Sequence, residues 1–203
     1  MRVTVETQVA TRQRILEVAQ ELFAANGFDS TTTRDIAREA EIGVGTLFNY
    51  FPNKESVVAS LVAEAVAGAH RKFAGNGAKA ESLEEDLFAF IAAGLRKLKP
   101  LRRNLPAILE TTLSPLVAPG DQESHLLRVS HLEAVNRLTS KHGFQELSPV
   151  VLQMYWALYT GLLMFWANDP SPRQEDTLAL LDHSLEMFVG WLNGRRHVSP
   201  NQS

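Results

Sequence analysis

The chain has 203 residues, room for one large domain or two small ones, and its 45% hydrophobic and 21% charged content is an ordinary globular balance. A formal net charge of −3 at pH 7 excludes a uniformly basic nucleic-acid binder, so any DNA-binding role has to rest on where charge is placed. With no cysteine, disulfide frameworks, thiolate zinc sites and cysteine nucleophiles are excluded together.

The chain reads as helix after helix, with no sustained alternating strand pattern, and the fold class is all-α. The first predicted helix covers about 9–26. Ile15, Ala19, Leu22 and Phe23 form one apolar stripe, and Asn26-Gly27 stops it because glycine tolerates a left-handed backbone. A short helix over about 33–40 follows, with Thr32 and Asp35 at capping-box spacing and Ile36, Ala37 and Ala40 on its inner face. After a tight turn a third helix, about 44–51, ends at Pro52, which cannot continue it. Asn53 can cap a fourth, about 54–73, which carries Val57, Val58, Leu61, Val62, Ala65 and Val66. Gly75-Asn76-Gly77 is the clearest break. Five more helices are predicted over about 82–98, 100–114, 121–141, 149–168 and 173–193, before a polar tail.

Two short helices joined by a tight turn and braced by a longer preceding helix make the helix-turn-helix plan, whose second short helix enters the major groove. Ile15, Phe23, Ile36, Ile42, Leu47 and Phe51 supply the small core that holds those helices at their angle. The residues that fill this plan run from Gly27-Phe28 through Thr32-Thr33-Arg34-Asp35-Ile36-Ala37. They continue with Gly45-Thr46-Leu47-Phe48-Asn49-Tyr50-Phe51-Pro52-Asn53-Lys54-Glu55. This string resembles the DNA-binding signature of the TetR (tetracycline repressor) family over about residues 11–58. The rest of the chain is similar to that family only in the number, length and apolar character of its helices.

The resemblance implies roles at matched positions. Thr33 would hydrogen-bond a phosphate, and Arg34 would reach a phosphate or a base edge. Thr46 and Tyr50 would contact the DNA backbone, Asn49 would face base edges, Lys54 would hold a phosphate, and Val44 and Gly45 belong to the same DNA-binding set. Four positions depart from the family pattern. Glu41 replaces a turn glycine, where a left-handed backbone would cost about 1 kcal/mol unless the turn differs. Gly43 caps the recognition helix without a side-chain oxygen, Val44 replaces a polar or basic residue, and Phe48 lacks the hydroxyl of the usual tyrosine.

The resemblance also divides the chain into a helix-turn-helix DNA-binding domain (1–54), a larger helical effector-binding and dimerisation domain (55–194) and a flexible tail (195–203). It implies an effector pocket among the middle helices, with candidates Phe88, Ile91, Leu105, Leu109, Leu126, Tyr155, Trp156 and Tyr159. It implies a homodimer through the last two helices. They carry more apolar surface than one thin domain should bury, and Leu158, Gly161, Leu162, Leu185 and Phe188 are candidates near the two-fold. The apolar run 150–167 is almost long enough to span a membrane, but Gln153, Thr160 and Gly161 interrupt it and no basic cluster flanks it. A helix buried on all sides is therefore expected, with no membrane.

No catalytic motif, phosphate-binding loop or dinucleotide fingerprint is present, and the histidines have no zinc-ligand spacing. The expectation is a non-enzymatic, cofactor-free regulator without a metal. It would be a cytoplasmic homodimer that binds a palindromic operator in double-stranded DNA, a repressor released by a small hydrophobic effector. The first ten residues fit that compartment, being polar and mixed with no signal-peptide core. The alternatives are a regulator of the same fold without a small-molecule effector, or a helical lipid or small-molecule carrier or enzyme, which leaves the N-terminal signature unexplained.

Overall fold

The computed structural model describes residues 4–75, 80–106 and 122–196, and among them every regular element is helical. The helices are α1 (Val5–Asn26), α2 (Thr33–Glu39), α3 (Val44–Tyr50), α4 (Lys54–Gly75), α5 (Leu83–Leu98), α6 (Gln122–Lys141), α7 (Pro149–Asn168) and α8 (Glu175–Arg196). One 3₁₀ segment, Lys99–Asn104, follows α5, and another, Pro172–Gln174, precedes α8.

Local chemistry sets most boundaries. α1 begins four residues before the predicted start because the Thr4 hydroxyl accepts from the Thr7 N–H at 3.3 Å and caps it. Gly27 ends it at φ 80°, a backbone that side-chain-bearing residues rarely adopt. The Thr32/Asp35 capping box of α2 is formed in both directions. Ser82 and Ser148 cap α5 and α7 in the same way as Thr4. The predicted helix over 100–114 opens instead as 3₁₀, and its part beyond residue 106 lies outside the described residues.

α8 differs at both ends. Asp169 accepts from the Ser171 N–H at 2.8 Å, the Thr177 N–H at 3.0 Å and the Thr177 hydroxyl at 2.5 Å. This buried carboxylate folds 169–177 into a turn, with Arg173 and Gln174 at positive φ, so regular helix starts only at Glu175. At the other end α8 runs on to Arg196, two residues beyond the boundary expected at 194.

α1, α2 and α3 pack together at one end, and α4 touches α1 on one side and α5 and α6 on the other. The buried side chains form one continuous cluster from Ile15 to Leu192, so α4 is a member of both halves. Arg12 reinforces that junction: it pairs with Glu64 at 3.1 Å and lies 5.3 Å from the Phe51 ring centre. The 3₁₀ segment after α5 is tied to the end of α7 by Arg102. Its Nε donates to the Trp166 carbonyl at 2.8 Å, and its Nη2 donates to the Asp169 carbonyl.

α7 is the one described helix long and apolar enough to cross a membrane. Tyr155, Trp156, Tyr159, Leu162, Leu163 and Trp166 are buried within the chain, whereas Val150, Met154 and Phe165 are exposed. The helix is thus buried along one face, not on all sides.

Asp86, fully buried in the first turn of α5, joins that helix to the end of α6. Lys141 donates to its Oδ2 at 2.9 Å, and His142 Nε2 lies 2.7 Å from the same oxygen. Burial alone pushes the carboxyl pKa up, but the hydrogen bonds from His142 and Lys141 outweigh it and the net value falls below the ordinary 3.8. A carboxyl lowered on folding adds stability that is complete above its unfolded pKa and is lost as pH falls through the folded one. Asp86→Asn is therefore expected to lower the melting temperature at neutral pH and to flatten its decline below pH 3.8. Thermal melts taken across that range check this; an acid limb identical to that of the parent protein would show that the contact adds nothing.

Candidate functional site

The helix-turn-helix is built on few side chains. Ile36 and Ala37 of α2, Ala40 just after it and Leu47 of α3 are fully buried against Ile15, Ala19 and Phe23 of α1. Ile42 is half-buried. The turn between α2 and α3 has Glu41 at φ 53°, the left-handed backbone that the substitution of a turn glycine raised as a possibility. The Glu41 carboxylate takes Arg14 Nη2 at 2.5 Å, an exposed pair that links α1 to this turn. Gly43 caps α3 with no side-chain hydrogen bond.

The opposite face is polar and accessible. Arg34, Gly45, Thr46 and Asn49 are exposed; Thr33, Val44 and Tyr50 are half-buried. Phe48 is 47% exposed, a large apolar ring on the same helix. Arg34 makes no hydrogen bond or ion pair among the described residues. Its neighbour Arg38 is held by Asp35 at 2.8 Å. The Asp35 carboxylate also accepts from the Thr32 hydroxyl at 2.6 Å and the Thr32 N–H at 3.1 Å, and these bonds, the hydroxyl's first, hold its pKa below the ordinary range. The acid that would oppose a phosphate here is already engaged in the cap.

Lys54 is placed differently from the phosphate contact that the resemblance implies. Its ammonium donates to the Phe28 carbonyl at 2.6 Å and the Thr31 carbonyl at 3.0 Å, and sits 4.0 Å from the Phe28 ring centre. It ties the start of α4 to the loop that leads into α2. No sequence spacing signals that bond, because it joins residues far apart in the chain.

The C-terminal half holds two narrow apolar crevices that share Tyr159 as a wall. One, a cavity of about 20 Å³, lies between α5, α7 and α8 beside Ile91, Tyr155 and Leu181. The other, a cavity of about 10 Å³, lies beside Val62, Leu98, His131 and Trp156. Ile91, Tyr155, Trp156 and Tyr159 of the expected pocket residues line one or the other. Phe88 is half-buried and Leu105 fully buried, but neither lines a crevice. Leu126 is 56% exposed, because the phase of α6 turns Leu127 inward in its place. Leu109 lies outside the described residues.

The expected dimer residues divide in an unforeseen way. Leu158, Leu162, Leu185 and Phe188 line the first crevice, and the last three are buried within the single chain. Gly161 alone of the five is exposed. The outward stripe of α7 is Val150, Met154, Gly161 and Phe165, and that of α8 is Leu180, Met187 and Trp191. Both helices are apolar on more than one face, so periodicity could not say which face turns inward.

The sequence also hid a buried aromatic cluster. His70 of α4 stacks on Phe90 with ring centres 4.6 Å apart, and His131 of α6 lies 5.2 Å from both. Taken singly the two histidines carried no signal, since only the tertiary fold brings them together. Burial lowers the pKa of His70 to about 4, so it is neutral at physiological pH. Among the described residues no group of three His, Cys, Asp or Glu is placed to hold a metal ion.

Comparison with known proteins matches residues 15–61 to a family described as bacterial regulatory proteins, tetR family. The transcriptional repressor KstR2 of Rhodococcus jostii (strain RHA1) is 34% identical over 168 residues, covering 81% of this chain and 69% of that protein. A regulator of Bacillus subtilis (strain 168), YuxN, is 42% identical over 48 residues, 24% of this chain. That alignment spans only 16% of YuxN, and the one to UidR of Escherichia coli (strain K12) only 26% of that protein. Among solved structures, Thermus thermophilus FadR, determined with lauroyl-CoA, superposes with a TM-score of 0.64 at 22% identity, over 95% of this chain and 97% of its own.

Proposed function

This chain belongs to the tetR family of bacterial regulatory proteins, and we propose that it is a dimeric transcriptional repressor that leaves its operator when a small, largely hydrophobic ligand enters the C-terminal helices. The observation that carries the DNA-binding part is the exposed face of α2 and α3. Arg34 stands there without a partner among the described residues, beside Thr46 and Asn49, while the nearest acid is tied into a helix cap. Such a face can place an arginine and an asparagine on base edges and hydroxyls on phosphates. Residues 1–54 then act as the DNA reader and 55–194 as the sensor, in the cytoplasm where the DNA is.

The exposed apolar stripes of α7 and α8 favour a homodimer. Inside the chain a Cβ at Gly161 would meet nothing within 4 Å, so the bare backbone there leaves room for a partner's approach. Two readers so joined must match successive major grooves, roughly 34–36 Å apart. α4 contacts both halves and is the lever by which a ligand changes that spacing. That the same fold holds lauroyl-CoA in T. thermophilus FadR supports an apolar ligand among these helices. The tight crevices leave room for the reading without an effector, which predicts that no small molecule releases DNA.

The test begins with selection of bound duplexes from a random DNA pool, then titration of the winner at several salt concentrations. Arg34→Ala and Tyr50→Ala are each expected to weaken binding by about 1–3 kcal/mol without unfolding the protein. Lys54→Met is expected to loosen the junction between α4 and the loop before α2, whose Phe28 and Thr31 carbonyls the ammonium holds, and to lower the salt slope by no more than about one. Undiminished affinity in both alanine variants would refute the proposed face.

A further inference from the structure

The seven residues of α3 turn by about 100° each, so Leu47, the one that is fully buried, fixes where the others point. Three pairs four residues apart then lie side by side along the helix. Gly45 and Asn49, opposite Leu47, are both exposed and form the middle row. Thr46 and Tyr50 form a row on one flank, and each carries a hydroxyl. Val44 and Phe48 form the row on the other flank, and it is wholly apolar. The outward face of α3 thus passes from hydroxyls through an amide to hydrocarbon.

The two apolar residues differ in what they do inside the chain. Val44 is half-buried and packs against the core. Phe48 is 47% exposed, stands outside that core, and makes no ring or cation contact among the described residues. Packing within the chain therefore does not account for a phenyl ring at this position. On the neighbouring row a Cβ at Gly45 would meet nothing within 4 Å, so the bare backbone beside Phe48 leaves room for a close approach.

We infer that Phe48 is a specificity-determining residue that reads the C5-methyl group of a thymine beside the base faced by Asn49. A phenyl ring has no polar handle, so phosphates and the polar base edges give it no hydrogen-bond partner. The thymine methyl is the one apolar group that base edges present in the major groove. Contact with it withdraws apolar surface of both partners from water. Uracil keeps every hydrogen-bonding group of thymine but lacks that methyl, and so isolates the contact. The inference rests on the reading of α2 and α3 as the DNA reader and names one chemical group that this reader distinguishes.

The test alters the DNA first, so that its outcome does not depend on how a variant folds. Each thymine of the selected duplex is replaced in turn by uracil, in both half-sites of the palindrome, and binding is followed by titration of the labelled duplex. At one position the loss of the methyl is expected to weaken binding about fourfold per half-site, and on the order of tenfold for the two together. Phe48→Ala, a change at an exposed position, is expected to keep its helical content and to bind the thymine and uracil duplexes equally. Phe48→Leu, still apolar, is expected to keep a reduced preference for thymine. A parent protein indifferent to uracil at every position overturns the inference; if its Phe48→Ala variant still binds more weakly, the ring lies against deoxyribose instead. A Phe48→Ala variant that retains the full preference overturns it too, because another residue then reads the methyl, as does an enriched site with no thymine in its half-sites. Failure to enrich any duplex refutes the DNA reader itself, and this inference with it.

Discussion

Replacing Phe165 and Met187 together by glutamate is expected to yield a folded monomer that binds a palindromic DNA site about 10²-fold or more weakly than the parent protein. Phe165 is 43% and Met187 62% exposed in the single chain, so neither glutamate enters the core and helical content should survive. In a dimer built on the outward stripes, each carboxylate would be buried against apolar side chains such as Met154 and Trp191, a burial that costs several kcal/mol unless it is paired. Loss of the dimer removes the high effective concentration of the second reader, and that factor dominates the DNA affinity. Sedimentation equilibrium measures the first consequence and titration against the selected duplex the second. A variant that remains dimeric would move the interface away from α7 and α8. The contrasting variant Leu162→Glu should unfold the C-terminal half instead, because Leu162 lies in the chain's own core.

Leu47→Ala is expected to cost about 2–5 kcal/mol and to abolish specific DNA binding before the rest of the protein melts. α3 has seven residues, too few to hold a helix by itself, and Leu47 is the one residue of α3 that is fully buried. Gly43 adds no side-chain cap, so packing of that leucine against α1 and α2 is the main force that orders the helix. Circular dichroism should show most helix retained, with the early loss confined to the N-terminal part, where hydrogen exchange at α3 would accelerate. A variant that binds DNA normally would mean that other contacts order α3. Gly43→Ser makes the complementary case: a side-chain cap should raise the stability of α3 by only about a few tenths of a kcal/mol, since glycine is itself tolerated at that position.

What could be read from the chain alone had local causes. Thr32 with Asp35, Asn26-Gly27, Pro52 and Asn53 lie within a turn of the boundaries they set, so the helix-turn-helix was legible down to its capping box. The helical periodicity of Val57, Val58, Leu61 and Val62 likewise marked buried positions of α4, although Ala59 and Ser60 between them are buried too, so this stretch is enclosed on every side. Sequence alone therefore determined that the protein is all-α, where most of its helices lie, and that the two short helices present Arg34, Thr46 and Asn49.

Tertiary structure decided what depends on partners distant in the chain. α7 and α8 are apolar on more than one face, so only packing could turn Leu162, Leu185 and Phe188 inward and leave Val150, Phe165 and Met187 outside. Packing also assigned Lys54 to two backbone carbonyls and placed Asp169 under the start of α8. It brought His131 to Tyr155 and Tyr159, where burial keeps the imidazole neutral. A propensity or a cap is a property of neighbouring residues and can be read along the chain. A hydrogen bond or a buried face joining distant segments is set by the energy of the whole fold, and no local pattern encodes it.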